Sequence, residues 1–181
     1  LFPPPEPVRN DIENTQEQSE DSDLAPITDS DKVTLVDTGE TIIAVEAQRI
    51  QIENELLSGA ISTQGGRIDQ LSLKKYRNTI SEDSEIVTLL SPVGQSEAYY
   101  AAFGWAPAVG IKPDQVPNPN TIWTVVGNNF LTPSSPVSLI WDNGNGVKFM
   151  RKISVDEKYM FTVEQGIENN SGAEISLRPY G

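Results

Sequence analysis

Between Leu131 and Leu177 the chain alternates apolar and polar residues and is cut three times by turn sequences. Few folds accept that pattern. Val137, Leu139 and Trp141 alternate with Ser138, Ile140 and Asp142. Asp142-Asn143-Gly144-Asn145-Gly146 follows, with two Asn-Gly pairs whose tolerance of positive φ suits a hairpin. On the return run Val147, Phe149, Ile153 and Val155 share one face, while Lys148, Met150, Lys152 and Ser154 share the other. Arg151 interrupts the apolar face and marks an edge, a bulge or a sheet rim. Asp156-Glu157-Lys158 turns the chain into a third run, in which Tyr159, Phe161, Val163 and Ile167 face one way. Asn169-Asn170-Ser171-Gly172 turns it again, towards Ile175 and Leu177. Period-2 alternation with polar turns predicts an antiparallel meander buried on one face.

Upstream, the same reading predicts more strands. Ile50 and Ile52 alternate with Arg49, Gln51 and Glu53. Gly59 to Thr63 and Arg67 to Tyr76 flank Gly65-Gly66, which reads as a tight turn: it lacks the GxGxxG spacing of a nucleotide loop, and no helix clearly follows it. Ile86 to Leu90 is a short strand stopped by Pro92, Ala98 to Trp105 an aromatic strand, and Thr121 to Val126 a β-branched run around Trp123. Pro113, Pro117 and Pro119 make Lys112 to Asn120 irregular. One or two further strands are expected among Val33, Leu35, Val36, Ile42, Ile43, Val45 and Ala47. The fold class is therefore all-β, an antiparallel β-sandwich over residues 32–181. The 181 residues suffice for one domain with a core. No apolar run approaches the ~18 residues that span a bilayer.

Residues 1–31 differ in kind. They hold nine acids against one base, Arg9, a net of −8 out of the chain's −13. With few large apolar residues and a Pro3-Pro4-Pro5 run, this segment is expected to be a disordered acidic linker. The acidic balance disfavours nucleic acid as a partner.

Chemistry is constrained by what the chain lacks. It has no Cys and no His, which removes disulfides, thiolate and imidazole metal sites, and Ser-His-Asp or Cys-His catalysis. Trp105, Trp123 and Trp141 invite a sugar-stacking groove, but each lies in a strand pattern where large aromatics supply core. Asp142 to Gly146 fails the spacing of a calcium loop, Asn169-Asn170-Ser171 is a glycosylation sequon at a turn, and Asp156-Glu157 is solvated turn charge. The expectation is no catalytic residue, no cofactor and no metal.

An ordered set of residues carries a resemblance: Leu131-Thr132-Pro133, Pro136-Val137, Trp141 to Gly144, Gly146, Phe149, Ile153 to Asp156, Tyr159, Phe161 to Val163 and Asn169, with Gly65-Gly66, Leu71, Leu73 and Tyr76 upstream. Over roughly Arg49 to Gly181 the chain resembles the large periplasmic domain of the YidC family of bacterial membrane protein insertases. That resemblance implies a super-sandwich of mutarotase-like architecture. It implies a non-catalytic interaction and scaffolding module at the periplasmic face of the inner membrane. Implied partners are the Sec translocon, its SecDF accessory and nascent membrane proteins. The family's first transmembrane helix would end near Leu1-Phe2, and its domain continues beyond Tyr180-Gly181, which leaves the completeness of the sandwich open. A mutarotase-like activity would need a His that the chain lacks. The alternative is a periplasmic carbohydrate-binding module.

Overall fold

The computed structural model describes residues 47–181. In chain order the strands are β1 (Arg49–Glu53), β2 (Leu57–Ser62), β3 (Arg67–Arg77), β4 (Ile86–Leu90), β5 (Gly104–Val109), β6 (Thr124–Val126), β7 (Phe130–Leu131), β8 (Val137–Asp142), β9 (Val147–Val155), β10 (Phe161–Asn169) and β11 (Ser176–Tyr180). A single 3-10 turn, Pro113–Gln115, interrupts the proline-rich stretch among the described residues. The linker expected over residues 1–31 lies outside the described residues. So do the strands expected before Ala47, and Ala47 and Gln48 themselves are irregular.

One sheet has the order β4-β3-β2-β1-β7 and a second the order β10-β9-β8-β6. In β1, Ile50 and Ile52 are buried and Arg49 and Gln51 exposed, as the alternation predicts. In β9, Val147, Phe149, Ile153 and Val155 are buried and Lys152 exposed. Ile50, Ile52, Leu57 and Ile61 from the first sheet join Val137, Leu139, Phe149 and Ile153 from the second in one core cluster. Each such side chain contributes about 1.5–3 kcal/mol by leaving water. Two sheets closed over a shared core make the β-sandwich that the period-2 pattern requires.

Four features differ from expectation. First, β8, β9 and β10 form the meander, but β11 leaves it and pairs with β5. Residues 170–175 form a wide turn, closed by Asn169 Nδ2 donating to the Ala173 carbonyl at 2.8 Å, so the chain is carried away from the β10 edge. Strand β5, anchored in the core by Trp105, takes its ladder hydrogen bonds from β11. Second, β7 pairs with β1 in parallel, through Gln51 with Phe130 and Ile52 with Leu131. Third, Tyr99 and Ala101 make only isolated bridges, to Ser91 and Ile68, and the strand begins at Gly104. The Phe103 carbonyl is withdrawn from any ladder by a side chain described below. Fourth, the face of β10 is only partly covered: Phe161 and Val163 are half-buried, while Tyr159, in the preceding turn, and Ile167 are exposed.

The contrast between the two phenylalanines is measurable. Phe149 is 0% exposed. Phe149→Ala should cost about 3–5 kcal/mol in denaturant unfolding, and Phe161→Ala about half of that. Equal midpoints for the two variants would contradict the facing described here.

Candidate functional site

Strand β9 delivers one cation to the interior. Side chains at alternate positions of a strand share a face, so Arg151 must point inward with Phe149 and Ile153. The strand is central, and Leu139, Arg151 and Gln165 stand in register across β8, β9 and β10 with no bulge. Arg151 is 1% exposed, between two wholly buried neighbours. It therefore marks neither an edge nor a bulge nor a rim, contrary to the sequence reading.

The guanidinium is satisfied mostly by backbone. Nη1 donates to the Gly66 carbonyl at 2.6 Å and the Gly65 carbonyl at 3.3 Å. Nη2 donates to the Phe103 carbonyl at 2.6 Å and to Gln165 Oε1 at 3.4 Å. Nε has no acceptor among the described residues. The fork lies 4.6 Å from the Trp123 ring centre, 5.7 Å from Trp105 and 5.9 Å from Phe103, close enough for cation–π attraction. Among the described residues no carboxylate lies within 4 Å of it. Burial without a counter-ion holds its pKa down at about 10, against the opposing pull of the Tyr180 phenol. The unfolded chain holds that proton more tightly, so stability would rise only as pH climbs from about 10 towards the ordinary arginine value. At lower pH the cost of burying the charge is constant.

The Gly65-Gly66 turn exists to meet this side chain. Both residues have positive φ, 72° and 59°. A Cβ on Gly66 would stand 2.6 Å from Arg151 Nη1 and 3.1 Å from Trp123 Nε1. The turn is held on its other side by Gly65 N–H donating to the Thr121 carbonyl at 2.8 Å and Trp123 N–H to the Thr63 carbonyl at 2.9 Å.

Beside Arg151 lies a cleft of about 70 Å³, walled by Gly65, Arg67, Tyr100, Phe103 and Tyr180 among others. Arg67 stacks on Tyr100 at 5.4 Å. Its side chain is 13% exposed, yet it makes no hydrogen bond among the described residues, and its buried Nε has no acceptor. The nearest acid, Asp69, is 3.7 Å away and already receives Arg49 Nη2 at 2.8 Å. Asp69 is buried because it is the unopposed residue of a bulge between the pairs Ala60–Gln70 and Ile61–Ile68. A second, shallower hollow of about 400 Å³ crosses the outer face of the β10-β9-β8-β6 sheet over Val126, Ile140, Met150 and Gly166.

The other residues singled out in the sequence do structural work. Trp105 and Trp123 stack on each other at 6.2 Å, and each is at most 4% exposed. Trp141 packs on Phe149 at 5.6 Å. Trp105 and Trp123 thus present no open platform to a sugar, while Trp141 is half-buried. Asp142 Oδ1 accepts Gly144 N–H at 2.9 Å, and Asn143 Oδ1 accepts the N–H groups of Asn145 and Val147 at 2.8 and 3.1 Å, so these oxygens close the hairpin. Asn169 and Asp156 close their turns in the same way. Sequence reasoning missed Arg67, Tyr100, Phe103 and Tyr180. The available signal was the arginine that opens an alternating strand directly after Gly65-Gly66.

A family model for the YidC periplasmic domain matches residues 49–181. This chain belongs to that family. The YidC match starts at the first residue of β1 and includes every described strand. Membrane protein insertases named YidC are similar to it. That of Roseobacter denitrificans is 45% identical over all of this chain and 31% of its own length. That of Cereibacter sphaeroides is 47% identical over all of this chain and 29% of its own length. That of a Ruegeria species is 54% identical over 69% of this chain and 21% of its own length. The chain thus spans less than a third of the curated relatives it matches. No solved structure matches it.

Two glycines with similar φ separate conformational strain from contact. Gly144, with φ of 72°, has nothing within 4 Å of a built Cβ, whereas Gly66 meets Arg151. Gly144→Ala should cost about 1 kcal/mol, and Gly66→Ala clearly more, about 2 kcal/mol or above. Equal unfolding midpoints would show that Arg151 does not depend on that turn.

Proposed function

We propose that the chain is a non-catalytic interaction and scaffolding domain of a bacterial membrane protein insertase, held at the periplasmic face of the inner membrane. The observation that carries this reading is the coincidence of the family match, residues 49–181, with the folded strands β1 to β11. The names of the relatives support it: they are insertases of which this domain is a minor part by length. Residues 1–31 act as an acidic linker, whose charge keeps the domain off anionic lipid while it searches for partners. Those partners are the Sec translocon, its SecDF accessory and nascent membrane proteins. Contacts of this kind are modest in area and easily broken.

The test is removal of residues 32–181 from the full-length insertase. Membrane insertion should remain largely intact, and co-purification with Sec components should fall. An insertion defect as severe as loss of the whole protein, with the shortened protein present at normal levels, would contradict the scaffold reading.

A further inference from the structure

The cleft beside Arg151 has the chemistry of an anion site. Two guanidinium groups, Arg67 and Arg151, line it in a chain whose net charge is −13. Neither has a full set of acceptors, and the Nε of each is buried without one among the described residues. The donors differ in role. Arg151 spends its outer nitrogens on the Gly65, Gly66 and Phe103 carbonyls and on Gln165, so it contributes mainly field. The Arg67 side chain, 13% exposed, makes no hydrogen bond among the described residues. Asp69, 3.7 Å from Arg67 Nε, is shared with Arg49, which holds it at 2.8 Å.

We propose that this cleft binds a carboxylate, received by the planar fork of Arg67 in the field of Arg151. Size favours the choice. The cleft, about 70 Å³, admits a group the size of a carboxylate. Shape favours it as well, because a guanidinium fork matches the two oxygens of a carboxylate with paired, charge-assisted hydrogen bonds. The half-buried Phe103 ring and the exposed Tyr100 ring flank the two guanidinium groups. The carboxylate is either a small free acid or the acidic end of a peptide. This assignment does not depend on the insertase reading.

The test is a titration of the isotope-labelled full chain with sodium acetate, exchanged against sodium chloride at constant ionic strength, following the Nε–H signals of Arg67 and Arg151. Both signals should move along one saturating curve. Arg67→Gln should raise the midpoint roughly tenfold or more, the loss expected for a charged hydrogen bond. Arg67→Lys, which keeps the charge and loses the fork, should fall between, and it carries the test if the Gln variant does not fold. Lys152→Gln, the same charge change on the outer face of β9, should leave the midpoint within about twofold, because that charge is exposed and screened. N-acetyl-dialanine binding more tightly than acetate would identify a peptide carboxylate; acetate binding alone would identify a small acid. A non-saturating response, a midpoint unmoved in both Arg67 variants, inorganic phosphate binding more tightly than acetate, or the dialanine amide binding as well as the acid would overturn the proposal.

Discussion

A buried cation with no counter-ion among the described residues organises this molecule. Desolvating a guanidinium costs several kcal/mol, and only close, well-aimed partners offset that. Arg151 finds them in carbonyls at Gly66 and Phe103 and in the faces of Trp105 and Trp123. Each partner belongs to a different segment: the β2–β3 turn, the approach to β5, β5 itself and the approach to β6. The cation in the second sheet thus fixes the position of the turn and loops at that end of the sandwich. Hydrophobic packing between the sheets is non-directional and could not do this alone.

The same requirement explains details that look separate. The β2–β3 turn is Gly-Gly because its carbonyl must approach Arg151 where no Cβ fits. The expected strand from Ala98 starts late because the Phe103 carbonyl is bound to Nη2. Trp105 and Trp123 are core residues and not a sugar platform because their faces cover the charge. The small cleft that remains, with Arg67 opening into it, is where the imbalance of charge is still accessible from outside.

Much of this could be read from the chain. Ile50 and Ile52, the hairpin at Asp142 to Gly146 and the buried face of β9 follow from alternation and turn chemistry, both of which are local. Arg151 was visible as a break in that face, but its meaning was not. Its acceptors lie 85, 86 and 48 residues away along the chain, at Gly66, Gly65 and Phe103, and local pattern carries no information about such partners. The pairing of β11 with β5 and of β7 with β1 was hidden for the same reason. Two strands acquire those partners from tertiary closure, and nothing in Leu131 or Leu177 announces it. Family resemblance reached the right family without reaching the cleft, because its matching residues are turns and core positions.

Hydrogen exchange in an Arg151→Met variant tests the central claim most directly. The substitution keeps an apolar side chain in the core and removes the fork. Protection should fall at the amides of Gly65, Ala101 and Trp123, whose hydrogen bonds to Thr121, Ile68 and Thr63 secure the turn and the loops. The amides that pair β8, β9 and β10 should keep theirs. Undiminished protection at Gly65, Ala101 and Trp123 in a folded variant would contradict the account, because those segments would then be held in place without the buried charge.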